Sequence, residues 1–320
     1  MYLGRSRMNI RSVLEFPLEE TTFASRGFHP GEPETVARLE AAGAAFHRGY
    51  GMALDDPDRA PEALPEQKGP TAGFVYEGAA MALCLTDALS LPRRTDFSRL
   101  LDGRARHSPY TAHVGAGWAL ARLPRVLWRP VLRQLDPLLG WLAWDGYGFH
   151  QVFFGGLGRR LRSPLPGYVR HATAQGAGRA LWFDRCAEPE LIARAVDRAP
   201  KDLHGDLWSG VALAAAFTGA APTRAHRLRD AAEGHAPALA QGAAFAAKAL
   251  VTLGPVAPDS ESVVRSLTGL GAVSAAEVTD EELLRLPPWG REAPRTGTPA
   301  YAVWRTRVAA RLAEGVTSAL

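Results

Sequence analysis

Apolar residues recur at three- and four-residue steps along most of this chain, the spacing of one face of an α-helix, and a longer period lies over that pattern. With Gly146 of the aromatic stretch Trp144-Asp145-Gly146-Tyr147-Gly148-Phe149-His150 as position zero, glycines fall in corresponding settings at Gly43, Gly78, Gly115, Gly176, Gly210 and Gly242. Successive steps are 35, 37, 31, 30, 34 and 32 residues. Position +2 is small in every copy, and position +4 is alanine in five, with His47 and His150 as the exceptions. A period of about 33 residues holds two helices of about three turns each plus their connections, the arithmetic of a helical-hairpin array. The expected fold is therefore all-α, with helical-hairpin repeats forming a compact superhelix or an α/α toroid. A glycine inside a helix costs about 1 kcal/mol relative to alanine, so a series of them calls for a reason, and close approach of neighbouring backbones supplies one.

In chain order, residues 1–30 lack helical period and read as an extended arm capping the array. Residues 31–254 hold the seven glycine-marked repeats and 255–320 the C-terminal helices, all within one domain. Core helices are expected over 34–54, 74–91, 109–123, 141–157, 168–183, a segment starting near Leu207, and 237–253, with shorter partners such as 96–102 and 189–199 between them. The proline-rich segment 55–73 reads as a lid or entrance loop, and 287–299 as a second loop. Asp206 and Ser209 are read as caps of the sixth core helix, though His204-Gly205-Asp206 could equally supply chemistry.

Composition narrows the class. Hydrophobic residues make up 47% of the 320 positions and charged ones 22%, an ordinary globular balance. The net charge is only +4 and the arginines are scattered, which argues against a nucleic-acid partner. Two cysteines, Cys84 and Cys186, are too few for a disulfide framework or a thiolate metal site and fit a reducing cytoplasm. No segment reads as a signal peptide or as the run of roughly 18 to 20 apolar residues that spans a bilayer. Gly155-Gly156-Leu157-Gly158 follows a helix rather than a strand, so it is not a dinucleotide fingerprint. Neither metal nor cofactor is expected.

Chemistry concentrates at position −1, which is polar in five copies: Glu77, Asp145, Gln175, Ser209 and Gln241. Such groups flanked by aromatics on apolar helices either cap a helix or look into a partly dry cavity. A carboxyl in that setting has a raised pKa, so Glu77 and Asp145 are the candidate acid and base. His150 is the third candidate catalytic residue, because an imidazole there needs space the other repeats lack. Asp145 and His150 lie about 140° apart round a helix, so they could border one cavity without touching. Tyr76, His113, Trp144, Tyr147, Gln175, Trp208 and Gln241 are the candidates for holding a substrate.

The blocks Arg26-Gly27-Phe28, Glu77-Gly78-Ala79-Ala80-Met81-Ala82-Leu83, Asp145-Gly146-Tyr147-Gly148-Phe149-His150, Gln175-Gly176-Ala177-Gly178-Arg179-Ala180-Leu181-Trp182-Phe183, Asp206-Leu207-Trp208-Ser209-Gly210 and Gln241-Gly242-Ala243-Ala244-Phe245 together resemble the domain-of-unknown-function 1702 family. The likeness extends over nearly the whole chain. It implies a role in an actinobacterial pathway to an enediyne or another secondary metabolite, with cofactor-independent carbon-carbon coupling of an anthraquinone-type aromatic to the enediyne core as the leading expectation. It supplies no set of functional residues. The partner would be a small polycyclic aromatic or enediyne, with no nucleic acid and no membrane, and a homodimer is compatible. Two other readings make different demands: a carrier or self-resistance protein that sequesters the ligand unchanged, and a helical scaffold for pathway enzymes.

Overall fold

The structure is a computed structural model that describes residues 13–67, 69, 71–157, 165–286 and 297–317. Among these residues the regular elements are helical, as the repeat arithmetic requires. Seven core helices follow the glycine-marked segments: α1 (Pro33–Asp55), α2 (Ala72–Leu89), α4 (Pro109–Arg122), α5 (Trp141–Gly155), α6 (Tyr168–Asp184), α8 (His204–Thr218) and α10 (Ala236–Leu253). Shorter helices α3 (Asp96–Asp102), α7 (Pro189–Asp197), α9 (Pro222–Ala231) and α11 (Pro258–Thr268) return the chain between core helices or follow the last one. Helices α12 (Ala272–Leu284) and α13 (Ala300–Thr317) complete the fold. Proline stands in the first turn of α1, α4, α7, α9, α10 and α11, where its missing N–H costs nothing and its φ is preset.

Each core helix packs on the next along the row α1, α2, α4, α5, α6, α8, α10, and α12 extends it. Neighbours run parallel. His171 of α6 meets Asp206 of α8 near the starts of those helices, and Trp182 meets Thr218 near their ends. The row also curls until α1 touches α8 and α2 touches α10, so the array is a compact superhelix closed on itself.

Glycine makes that packing possible. A Cβ placed on Gly78, Gly115, Gly146, Gly176, Gly210 or Gly242 would lie 1.8–2.1 Å from a carbonyl oxygen of the preceding core helix. No side chain fits there. A second set faces the following helix: Gly49, Gly117, Gly148 and Gly178 would each carry a Cβ 1.9–2.0 Å from a carbonyl oxygen. Backbones this close bring Cα–H groups against carbonyls, a contact that recurs where small residues let helices cross tightly.

The same contacts correct the register of the first repeat. Gly43 does not belong to the ladder, since a Cβ there would meet the Thr21 side chain of the N-terminal arm at 2.9 Å. Gly78 instead presses on the carbonyl of Phe46, and Gly49 on that of Val75. His47 therefore occupies position zero of the first copy, one helical turn beyond Gly43, and Phe46 occupies position −1.

Other expectations also change. The described part of the arm is not simply extended: it forms a 3-10 turn at Leu18–Thr21 and a short helix at Phe23–Arg26, whose Thr22 side chain caps it through Ser25 N–H. Asp206 and Ser209 cap nothing, because α8 begins at His204 and both lie inside it. The segment 55–73 holds a short helix, Ala60–Ala63. Of the second predicted loop, residues 287–296 lie outside the described residues, as do 1–12 of the arm. Two helices, Ala72–Leu89 and Ala236–Leu253, are long and apolar enough to cross a membrane, contrary to the sequence expectation. In this fold 94% of the first and 56% of the second is buried against other helices.

The ladder separates two kinds of glycine. Gly176→Ala, whose Cβ would fall 1.8 Å from the Asp145 carbonyl oxygen, is expected to lower stability by about 3 kcal/mol or more, because the obstruction is backbone. Gly51→Ala, also within a helix but with nothing within 4 Å of the added carbon, is expected to raise stability by about 0.5–1 kcal/mol. Urea unfolding midpoints of the two variants check both; equal effects would show that the ladder contacts are not tight.

Candidate functional site

The closed row leaves a cavity on its axis, walled by α2, α4, α5, α6, α8, α10 and α13. Phe74, Val114, Leu142, Phe183, Phe217 and Phe245 supply apolar wall, and Tyr301 and Trp304 of α13 close one side. Polar groups in the wall include Glu77, Asp145 and Arg179. About 50 Å³ is open to water-sized occupants within roughly 700 Å³ of space between atoms, mouth included. A benzene-sized guest occupies a cavity of about 150 Å³, so an aromatic ligand enters only as the walls part.

The ladder explains why these groups meet. The residue whose carbonyl receives the next helix's glycine stands at position −1, and in three consecutive core helices its side chain is on the cavity wall: Glu77, Val114 and Asp145. Arg179 reaches the same place from position +3 of α6. Its Nη1 donates to Asp145 Oδ1 at 2.5 Å, and its Nη2 lies 3.7 Å from Glu77 Oε1. Trp118 Nε1 also donates to Glu77 Oε1, at 2.9 Å. Relative exposures are 2% for Glu77, 1% for Asp145 and 7% for Arg179, so water screens none of these charges.

One guanidinium thus serves two carboxyls. Burial raises both pKa values, and the Arg179 charge opposes the rise in each case. Asp145 holds the closer contact with the guanidinium. Glu77, farther from the cation, is pushed up to about 7, which places its proton within reach of acid and base chemistry near neutrality. Asp145 Oδ2 is buried and has no hydrogen-bond partner among the described residues, and neither have Gln175 Nε2 and Gln241 Nε2. All three atoms belong to position −1 side chains. Native proteins rarely leave buried polar atoms unpaired.

The remaining sequence candidates divide. Gln241 Oε1 accepts from Ser209 Oγ at 2.8 Å and from Arg305 Nε at 3.1 Å. Arg305 also donates to Tyr168 OH and to Asp206 Oδ1, whose partner oxygen meets His171, so this cluster anchors α13 to α6, α8 and α10. Gln175 is fully buried, with Tyr301 OH 3.5 Å from its Oε1. His150 does not reach the cavity wall; its ring packs on Trp118 and Phe154. Trp144 and Tyr147 pack with Trp128 away from the cavity. Tyr76 OH accepts from Gln67 N–H and lines a surface groove with Glu62, Arg104 and His107; the 55–73 segment borders that groove, not the central cavity. His113 pairs through Nδ1 with the Pro109 carbonyl and through Nε2 with Asp136 N–H, and burial lowers its pKa, so it sits neutral and satisfied. Trp208 is buried.

Sequence reasoning left out Arg179, Tyr301, Trp304 and Arg305. Arg179 carried a signal: position +3 is Met81, Phe149, Leu213 and Phe245 in other copies, and a charge at an inward position is out of pattern. The α13 residues carried none, because that helix lies outside the repeat.

The fold and site together define an all-α, glycine-laddered superhelix enclosing a buried carboxyl–guanidinium–carboxyl cluster. A family profile described as protein of unknown function (DUF1702) matches residues 6–312, and the chain belongs to that family. No curated protein and no solved structure matches it.

Because Glu77 holds its proton more tightly folded than unfolded, its contribution to stability is complete below its ordinary pKa of 4.5 and is lost as pH rises through about 7. At full size that contribution is roughly 3 kcal/mol. Asp145, also raised, acts in the same direction. Glu77→Gln, which cannot ionise, is therefore expected to gain stability relative to the parent between about pH 5 and about pH 8. Thermal melts across that range measure the difference; a constant offset would mean that Glu77 stays ionised throughout.

Proposed function

We propose that this protein binds a flat, largely apolar small molecule in its central cavity and catalyses proton transfer on it, Asp145 acting as base and Glu77 as acid. The observation that carries this reading is the unpartnered Asp145 Oδ2, buried at the cavity wall beside a carboxyl whose pKa lies near 7. An acid and a base whose environments push their protonation states apart form a working pair. The Arg179 charge opposes protonation of Asp145 and offers positive charge to an oxyanion developing nearby. The family resemblance read from the sequence extends the proposal to a secondary-metabolite enzyme joining an anthraquinone-type aromatic to an enediyne core. As a non-redox addition, that step needs only two proton movements: Asp145 removes a proton from a phenol or acidic C–H of the nucleophile, and Glu77 delivers one to the oxygen that gains electron density as the carbon-carbon bond forms.

The carrier alternative draws on a different observation, the preponderance of ring and aliphatic surface in the wall. It requires affinity without change in the ligand.

Incubation of the purified protein with extracts of a pathway-blocked producer, followed by mass spectrometry, is expected to yield a coupled product. Asp145→Asn should lower turnover by about 100-fold or more while circular dichroism stays unchanged. Full activity in Asp145→Asn would remove the proposed base. Ligands retained with unchanged mass would establish the carrier reading instead.

A further inference from the structure

A second chamber lies against the first. It has about 40 Å³ open to water-sized occupants within roughly 530 Å³ of space between atoms. Its walls come from the N-terminal arm, α1, α2, α4, α5 and α6, and nine of the fifteen described residues that line it are aromatic. Phe is an ordinary core residue, so what distinguishes this cluster is the space left between the rings.

The ring geometry bears on what that space can hold. Phe149 and Phe153 lie nearly parallel at 19° with centroids 5.4 Å apart, while Phe46 and Phe149 are tilted at 35° and 36° to Trp118. Arrays of this kind offer faces and edges to another flat ring. Phe154, in the same wall, is 36% exposed and marks the side from which the chamber can be reached.

The partition bears on it too. Phe74, Glu77, Arg179 and Phe183 line both chambers. The wall between them is thus two rings and an ion pair, with Glu77 only 2% exposed. Its charge decides what the second chamber accepts. Above about pH 7, where Glu77 gives up its proton, two carboxylates share one guanidinium, so an anionic guest meets excess negative charge in a dry site, where repulsion is poorly screened. A neutral guest bearing a hydroxyl meets a carboxyl oxygen able to accept its hydrogen bond.

We infer that the aromatic chamber is a second ligand subsite, for a flat, neutral polycyclic aromatic group whose hydroxyl donates to Glu77, occupied alongside a guest in the central cavity. The inference rests on the catalytic reading in that two guests would meet across the Glu77–Arg179 partition, but its test needs no turnover.

The full chain is titrated with 2-naphthol by isothermal calorimetry at about pH 8, above the Glu77 pKa of about 7, with naphthalene-2-carboxylate as the anionic control. Saturable binding of 2-naphthol is expected, at least about tenfold tighter than the carboxylate, and Glu77→Gln should narrow that gap. Ala42 lines only the aromatic chamber and Ala249 only the central cavity. Ala42→Leu should weaken binding about tenfold or more by filling the subsite, while Ala249→Leu leaves it within about twofold. If Ala42→Leu fails to fold, Phe154→Ala, at a part-exposed wall position, should weaken binding about fivefold. No binding, tighter binding of the carboxylate, or loss with Ala249→Leu alone would overturn the inference. Each of those results leaves the turnover comparison of Asp145→Asn with the parent intact, so the two proposals fail separately.

Discussion

Contact between a side-chain-free Cα and the carbonyl of a neighbouring helix is the constraint on which the rest of this structure depends. Parallel helices with ordinary side chains between them stand 8–10 Å apart, a spacing that suits a gently curving row. Glycine at position zero against one neighbour, and glycine or alanine at +2 against the next, allow tighter crossings on both faces of a helix. The row then curls until α1 meets α8 and α2 meets α10. The contact also aims side chains: the residue that lends its carbonyl to the next helix has its Cβ turned toward the axis in α2, α4 and α5, and chemistry placed at that position converges without any other device.

Convergence creates an electrostatic problem that the site solves with too few charges. Glu77 and Asp145 arrive from different helices and share Arg179, the cation within ion-pair distance of both among the described residues, with almost no solvent. Buried ion pairs rarely add stability over apolar packing, and an odd charge inside such a cluster is worse. The cheapest resolution is a proton on the carboxyl farther from the guanidinium, and the rise of Glu77 to about 7 is the expression of that shortage. A scaffold interior would gain by replacing the cluster with hydrocarbon.

The sequence carried the fold through one signal, small residues at a fixed helical phase, and the limits of that signal explain what it missed. Period and glycine phase yield helix type, helix bounds within about two residues except at the start of α8, which lies three residues before the expected Leu207, and the inward sense of position −1. They fail at the first copy, where Gly43 and His47 are one turn apart and equally in phase with the helix. Only the opposing backbone distinguishes them: the Thr21 side chain for Gly43, and a helix whose Gly78 meets the carbonyl just before His47. Polar identity at −1 brought out Glu77 and Asp145 but could not tell a residue facing space from one engaged by a neighbour, as Ser209 is by Gln241. His150 was chosen because alanine occupies its position elsewhere. The space it needs is provided on a different side, between Trp118 and Phe154.

The polar row as a whole is divided by its distance from the last helix. In the later repeats α13 crosses the opening, and Arg305 gathers Gln241, Asp206 and Tyr168 into one network, so that inward polarity there is spent holding the closing helix. In the earlier repeats no such helix arrives. Among the described residues, Glu77 and Asp145 meet Arg179 and the Trp118 indole, and one carboxylate oxygen is left without a hydrogen-bond partner. A single repeat position has therefore been put to two uses, and the difference lies in what opposes it. Where a helix of the same chain supplies the complementary groups, the row is structural. Where it does not, the hydrogen-bonding capacity left unmet among the described residues faces space bounded by rings.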